Sequence, residues 1–215
     1  MQLDDQSPDG LLIAAALAGD EAAFELLVRR YEAALFRAAA SRLSRRELAE
    51  EAVQETFLCA HRWLGTYDSR YSFRTWLWTI LLNQCSRQAK REARHSPPTV
   101  VTSNELCFAS QSTGTLDQLL ARESAERLHE LLAQLPDVQA DALRLRFFGG
   151  LTYGEIAAAM KCSEPGAKHR VKSGLLKLAE WLTRSDKQPA CRNAADSQTV
   201  SGQAGSLPYD SGDAL

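Results

Sequence analysis

The chain has 215 residues, is 45% hydrophobic and 24% charged, and carries a formal net charge of −2; that length is sufficient to bury a core without disulfide or metal staples. No apolar run approaches the roughly 20 residues a membrane helix requires, and Asp4, Asp5 and Asp9 ahead of the short run Leu11 to Leu17 are not the basic flank of a secretion signal. The five cysteines, Cys59, Cys85, Cys107, Cys162 and Cys191, show no Cys-x-x-Cys pairing, which points to reduced thiols in a cytoplasmic protein.

The near-neutral total conceals a segregation. Residues 61–94 hold seven Lys or Arg against two Asp or Glu, and residues 161–184 hold six against two. Two basic islands in an otherwise acidic chain predict two polyanion contacts separated by surfaces with another use.

In chain order, Asp20 is a candidate N-cap, and Phe24, Leu27, Val28, Tyr31 and Leu35 recur at the spacing of one helical face to about Arg42. Ser44 with Glu47 has the form of a capping box for a helix that turns Leu48, Ala52, Val53 and Phe57 inward and ends at Gly65. Its other face carries Glu50, Glu51, Gln54 and Glu55: either a solvated stripe or a docking surface for an Arg-rich partner. Ser72 is placed to cap a third helix with the stripe Phe73, Trp76, Leu77, Ile80 and Leu81, stopping before Pro97 and Pro98.

Residues 96–114 are rich in Ser, Thr, Pro and Gly and read as a linker. Thr115 with Gln118 opens a Leu-rich helix, Pro136 starts the next at its tolerated first position, and Gly149 with Gly150 ends it. Thr152 with Glu155 is another capping box, starting a short helix to Met160; Lys161, Cys162 and Ser163 form a turn, and a last helix runs from Glu164 to about Thr183. No strand-like alternation occurs. The expectation is an all-α protein of two small helical domains, 20–95 and 115–184, with an N-terminal segment 1–19 and a disordered tail 185–215.

The stretch from Tyr67 to Arg94 interleaves aromatic rings with Arg70, Arg74, Arg87, Lys90, Arg91 and Arg94, as an unpaired nucleic-acid strand requires, since bases stack on rings and cations follow phosphates. Phe73, Trp76 and Ile80 belong to a core stripe. Trp78 points about 200° away from Trp76, so Trp78, with the loop residues Tyr67 and Tyr71, is expected to be free for stacking. Asn83 and Arg87, four apart, are candidates for a base and a phosphate.

Residues 152–183 have the form of a helix-turn-helix. Its core is predicted from Ile156, Ala157, Met160, Cys162, Ala167, Val171 and Leu175, and Lys168, His169, Arg170, Lys172 and Ser173 would project towards duplex DNA. Catalysis finds no support: Glu126 and His129 have the spacing of half a di-iron site but no second copy, and no phosphate loop, nucleophile elbow or zinc spacing is present. No metal and no cofactor is expected.

The run Ala49-Glu50-Glu51-Ala52-Val53-Gln54-Glu55 resembles a signature of the extracytoplasmic-function (ECF) group of bacterial RNA polymerase sigma factors, and Phe73-Arg74-Thr75-Trp76-Leu77 resembles a second run about twenty residues further on. Leu135-Pro136, Phe147 to Ala157 and Lys168 to Leu178 resemble the C-terminal domain of the same group. The resemblance implies a region 2-like domain (20–95), in which Glu50, Glu51, Gln54 and Glu55 dock on the clamp helices of the polymerase largest subunit. Tyr67, Arg70, Tyr71, Arg74, Trp78, Asn83, Arg87 and Arg91 would melt and hold the minus-ten strand of promoter DNA. A region 4-like domain (115–184) would read the minus-thirty-five duplex through residues 163–177, including Lys177, and meet the flap of the second-largest subunit. An anti-sigma factor is a further implied partner, and no membrane insertion or enzyme activity is. Glu51 stands where Asp is usual, Lys161 replaces a common turn Gly, and Pro165 and Gly166 occupy the first turn of the recognition helix, so the preferred promoter does not carry over. The alternatives are a helix-turn-helix regulator acting on duplex DNA without polymerase, and an all-helical adaptor using the acidic faces.

Overall fold

The computed structural model describes residues 3–95 and 127–186. Among them the secondary structure is helical, in two packed units. The first contains α1 (Asp9–Leu17), α2 (Glu21–Ala40), α3 (Arg46–Trp63), a 3-10 turn (Leu64–Thr66) and α4 (Phe73–His95). The second contains α5 (helical over 127–134), α6 (Asp137–Phe147), α7 (Tyr153–Ala159) and α8 (Glu164–Asp186). The linker 96–114, the Thr115–Gln118 box, Glu126 and all but the first two residues of the tail lie outside the described residues.

Local signals place most of these ends. Asp20 accepts the Ala23 N–H at 3.3 Å and caps α2. Ser72 accepts the Thr75 N–H at 3.2 Å and caps α4. Thr152 and Glu155 form the reciprocal capping box at the start of α7. Ser44 does not cap α3: the N-cap is Arg45, without a side-chain bond, and the Ser44 hydroxyl donates instead to both oxygens of Glu92 on α4, at 2.8 and 2.9 Å. The Ser44 proton is committed to a carboxylate distant in sequence through a charge-assisted bond, and the helix begins one residue later than the box pattern places it. Pro136 is the N-cap of α6 rather than its first helical residue.

The N-terminal segment contains a helix that the sequence reading left unassigned. Leu12 and Ile13 of α1 are buried, and Asp9 is bonded to both Arg30 and Tyr31 of α2. Burial, then the adjacent Asp9 carboxylate, push the Tyr31 phenol up to about 12, so the phenol stays a proton donor to Asp9.

In the first unit α2, α3 and α4 enclose Leu27, Leu35, Ala52, Val53, Phe73, Leu77 and Leu81. In the second, Ile156, Ala157, Ala167 and Val171 are buried as expected, with Met160 and Cys162 packed against them. Leu175 is exposed, contrary to the expected core. The inward position is Gly174, where an added Cβ would lie 2.9 Å from Leu143 Cδ1, so α6 and α8 meet backbone to side chain and turn Leu175 outward.

The turn between α7 and α8 places Lys161, a non-glycine residue, at φ 50. The left-handed region costs an L-residue roughly 1–2 kcal/mol, more than the extra unfolded-chain entropy of glycine. Lys161→Gly is expected to raise unfolding stability by about 0.5–1 kcal/mol while Lys161→Ala gives no gain; urea denaturation of the two variants measures the difference.

Candidate nucleic-acid interface

Helical spacing divides α4 into three faces. Phe73, Leu77, Ile80 and Leu81 form the core face. Trp76, Thr79, Asn83, Arg87, Lys90 and Arg94 follow one another at three- and four-residue steps on a second, on which Asn83, Arg87, Lys90 and Arg94 are exposed. The third carries Thr75, Trp78 and Cys85, all buried.

That third face corrects one expectation. Trp78 is only 1% exposed and is not available for stacking in this structure. It points away from the core stripe, as the helical angle requires, but the second unit covers it: a Cβ on Gly149 would lie 3.0 Å from Trp78 Cε2. Trp76, assigned to the core stripe, is half-buried and lines an open cavity of about 360 Å³ with Tyr71, Asp68, Thr75 and Thr79. The tryptophan that a strand can reach is therefore Trp76, beside the 55% exposed ring of Tyr71.

The other loop residues divide. Tyr67 packs edge-on against Phe73, with ring centroids 5.7 Å apart, and against Trp76 at 5.4 Å, while its hydroxyl donates to the Tyr71 carbonyl at 2.6 Å. Tyr67 thus supports the loop as part of an aromatic cluster. Arg70 is exposed and held by Asp68 through Nε at 2.7 Å. Asp68 lies below its ordinary range because the Arg70 side chain and backbone N–H both donate to it. Arg74 is exposed beside Gly150. Arg91 donates to Glu51 Oε1 at 3.1 Å, joining a candidate strand contact to the candidate docking face.

On that docking face Glu50, Gln54 and Glu55 are exposed and Glu51 is half-buried. Glu50 accepts from Arg46 Nε at 2.8 Å, and the Arg46 guanidinium lies 5.3 Å from the centre of the Phe36 ring. Between α2 and α3 runs a groove of about 860 Å³ lined by the apolar residues Phe24, Val28, Phe36, Val53 and Phe57 and by Glu32, Glu50, Gln54, Arg46 and His61. An apolar trough with charged groups of both signs along it fits the apolar face of an amphipathic helix.

On α8, Lys168, His169 and Lys172 are exposed, and Arg170, Ser173 and Lys177 are half-buried. Ser173 accepts from Gln139 Nε2 at 3.3 Å, so it serves the contact between α6 and α8. Arg170 lies 4.0 Å from the Met160 sulfur. The outward cations are carried on a helix whose start is fixed by Ser163, which accepts the Gly166 N–H at 3.3 Å.

The comparisons with known proteins follow the same division. The family description Sigma-70 region 2 matches residues 27–95, and Sigma-70, region 4 matches residues 125–178. The RNA polymerase sigma-H factor of Pseudomonas aeruginosa is 29% identical over 172 residues, covering 77% of this chain and 89% of that protein. The ECF RNA polymerase sigma-E factor of Salmonella typhimurium is 30% identical over 179 residues, covering 79% of this chain and 91% of that protein. The chain belongs to the ECF sigma factors.

A solved sigma factor RpoE from Bartonella quintana, in complex with the anti-sigma factor NepR, matches with a TM-score of 0.61 at 25% identity, covering 74% of this chain and 96% of that one. In the sigma factor described here the two units are joined by contacts that no local pattern signalled. Glu155 of α7 accepts from Ser72 at 2.5 Å and from Thr75 at 3.1 Å, in addition to the Thr152 N–H and hydroxyl, both at 2.9 Å. At the other end Arg42 pairs with Asp141, while buried Arg144 donates to Ser41 Oγ at 2.8 Å and to Asp141 at 3.0 Å. His129 on α5 lies near this cluster, its Nδ1 buried without a partner, and burial followed by Arg144 holds its pKa below the ordinary value.

Partial burial of Glu155 would raise its pKa, but the donors Ser72, Thr152 and Thr75 together outweigh it and bring the carboxyl from 4.5 to about 2. A depressed folded pKa stabilises above the unfolded value and is lost as pH falls through the folded one. Between pH 4.5 and about 2 the sigma factor is expected to lose an increment of stability that Glu155→Gln lacks. Acid unfolding of both proteins followed by circular dichroism tests this, and coincident profiles would remove the role given to the carboxylate.

Proposed function

We propose that this sigma factor binds core RNA polymerase through the acidic face of α3 and the adjoining α2–α3 groove, and reads two promoter elements with its two units. The Tyr71–Trp76 cavity and the Asn83–Arg94 stripe of α4 take the melted minus-ten strand, with the base stacked and the phosphates met by Arg87, Lys90 and Arg94. The cations of α8 take the minus-thirty-five duplex. The region 4-like unit also meets the flap of the second-largest polymerase subunit, while polymerase supplies the chemistry and both act in the cytoplasm. The observation that carries this reading is the continuity of the α4 face, where an open aromatic cavity leads into a row of exposed cations. The complex of the Bartonella relative with NepR supports an anti-sigma factor as a competing partner of this chain.

The deciding experiment is run-off transcription with core polymerase and a randomised promoter pool. Selected initiation is the expected result. Failure to bind core, together with tight salt-sensitive duplex binding by the free chain, would replace the reading with that of a polymerase-independent regulator.

Two variant sets separate the contacts. Lys168→Ala and Lys172→Ala are each expected to weaken upstream duplex binding and to lower the salt slope by about 1. Tyr71→Ala and Trp76→Ala are each expected to cost roughly 1–3 kcal/mol of strand stacking while leaving duplex affinity intact. Permanganate footprinting of open complexes reads the second effect, and equal reactivity with wild type would exclude stacking by these rings.

A further inference from the structure

We propose that the cavity beside Trp76 selects the base it captures, accepting one that carries an exocyclic amine and refusing thymine, and that Asp68 decides between them. This base preference rests on the promoter reading given above.

The cavity wall offers acceptors. Besides the rings of Tyr71 and Trp76, its polar side chains are Thr66, Asp68, Thr75 and Thr79. Each of the three hydroxyls has already committed its proton. Thr66 donates to the Trp63 carbonyl at 2.8 Å, Thr79 donates to the Thr75 carbonyl at 2.8 Å, and Thr75 donates to Glu155 Oε1 at 3.1 Å. A hydroxyl whose proton is spent turns only lone pairs towards an incoming group. Asp68 has no proton to give either, since the side-chain and backbone bonds from Arg70 keep its carboxyl ionised.

Of these groups Asp68 has both a fixed direction and capacity left over. Its Oδ1 accepts the Arg70 N–H at 3.0 Å, its Oδ2 accepts from Arg70 Nε at 2.7 Å, and its carbonyl accepts the Tyr71 N–H at 3.1 Å. A carboxylate has about four lone-pair sites, so a donor arriving from the cavity still finds one. The loop bonds hold the group in place before a base arrives, which lowers the ordering that binding costs. The Arg70 guanidinium offsets the negative charge where it stands, and a phosphate backbone can pass beside it.

The four bases bring different edges to such a wall. Cytosine, adenine and guanine each carry an exocyclic NH2 group, whereas thymine carries two carbonyl oxygens with a single ring N–H between them. An amine at the carboxylate gains a charge-assisted bond. Thymine in the same place sets its carbonyl oxygens against other acceptors, and they give up water without a return. The cavity is open, so this discrimination is about tenfold, near the lower end of what one specific base contact supplies. The stacking rings do not make the choice, because every base has a π-face. Tyr71 and Trp76 set how strongly a base is held, and Asp68 sets which base it is.

The test uses core polymerase loaded with the full-length sigma factor and a promoter pool randomised across the minus-ten segment, with open complexes recovered and sequenced. Wild type is expected to show a position at which thymine is depleted about tenfold against the other three bases. Asp68→Asn and Asp68→Ser each replace the carboxylate with a group that can also donate. Both are expected to erase the depletion at that position and to leave the preferences at every other position as they were. Arg70→Ala keeps the carboxylate, so thymine stays depleted even as total capture falls. A wild-type profile with no thymine-poor position overturns the proposal, whether or not the Asp68 variants fold. A depletion that survives in a folded Asp68 variant also overturns it. So does one that Arg70→Ala erases as completely, which would assign the choice to the shape of the loop. Absence of open complexes on every promoter removes the promoter reading itself, whereas open complexes without a thymine-poor position leave that reading standing and remove only the base preference.

Discussion

The structure depends on one helix being buried from two sides. Burying Phe73, Leu77 and Leu81 of α4 against α2 and α3 builds the first unit, and burying Thr75, Trp78 and Cys85 joins it to the second. A helix has only so much circumference, so these two commitments confine the candidate strand-contacting residues to the remaining arc. Trp76, Asn83, Arg87, Lys90 and Arg94 lie there because nothing else is left to them. The row of cations is regular because the packing on both sides of it is regular.

Where the sequence was legible, the determining interaction was local. Asp20, Ser72 and the Thr152–Glu155 box act over three residues, and each gave its helix start correctly. Where it failed, a distant group had won. Ser44 looked like a cap, but α3 starts one residue later, and the Ser44 hydroxyl donates to Glu92, 48 positions away. Trp78 was correctly placed off the core stripe, but that it would be free did not follow. The periodicity of one helix says which side chains point together and nothing of what another unit brings against them. Leu175 and Gly174 teach the same point on a smaller scale: the apolar residue was taken as inward, whereas the close approach of α6 needed the position with no side chain.

Electrostatics were legible as distribution rather than as pairing. The two basic islands correspond to α4 and α8, the helices with exposed cation rows. The acidic face of α3 was equally plain, yet the sequence did not foretell that Glu51 would hold Arg91 or that Glu50 would hold Arg46. Exposed pairs of this kind add roughly 0–1 kcal/mol to stability. Their effect is better sought in availability, since a partner approaching Glu50 or Glu51 must exchange one guanidinium for another, while Gln54 and Glu55 can be approached directly.

The same exchange argument applies with more force to the buried cluster of Arg42, Asp141 and Arg144. Two guanidinium groups around one carboxylate leave an excess positive charge in a dehydrated place. The directions of their shifts reflect this competition. Burial opposes charge on both, but Asp141 more than compensates at Arg42 and fails to do so at the more deeply enclosed Arg144, whose pKa is lowered. Arg144 instead relies on Ser41, whose hydroxyl and carbonyl oxygens it reaches at 2.8 and 2.5 Å. The Ser41 carbonyl belongs to the C-cap of α2, where backbone oxygens lack helical donors and the helix dipole favours a cation. A cation supplied by one unit thus completes the unfinished end of a helix in the other. Separation returns both groups to water, where neither is left unsatisfied, so the attachment is specific in geometry without being costly to undo.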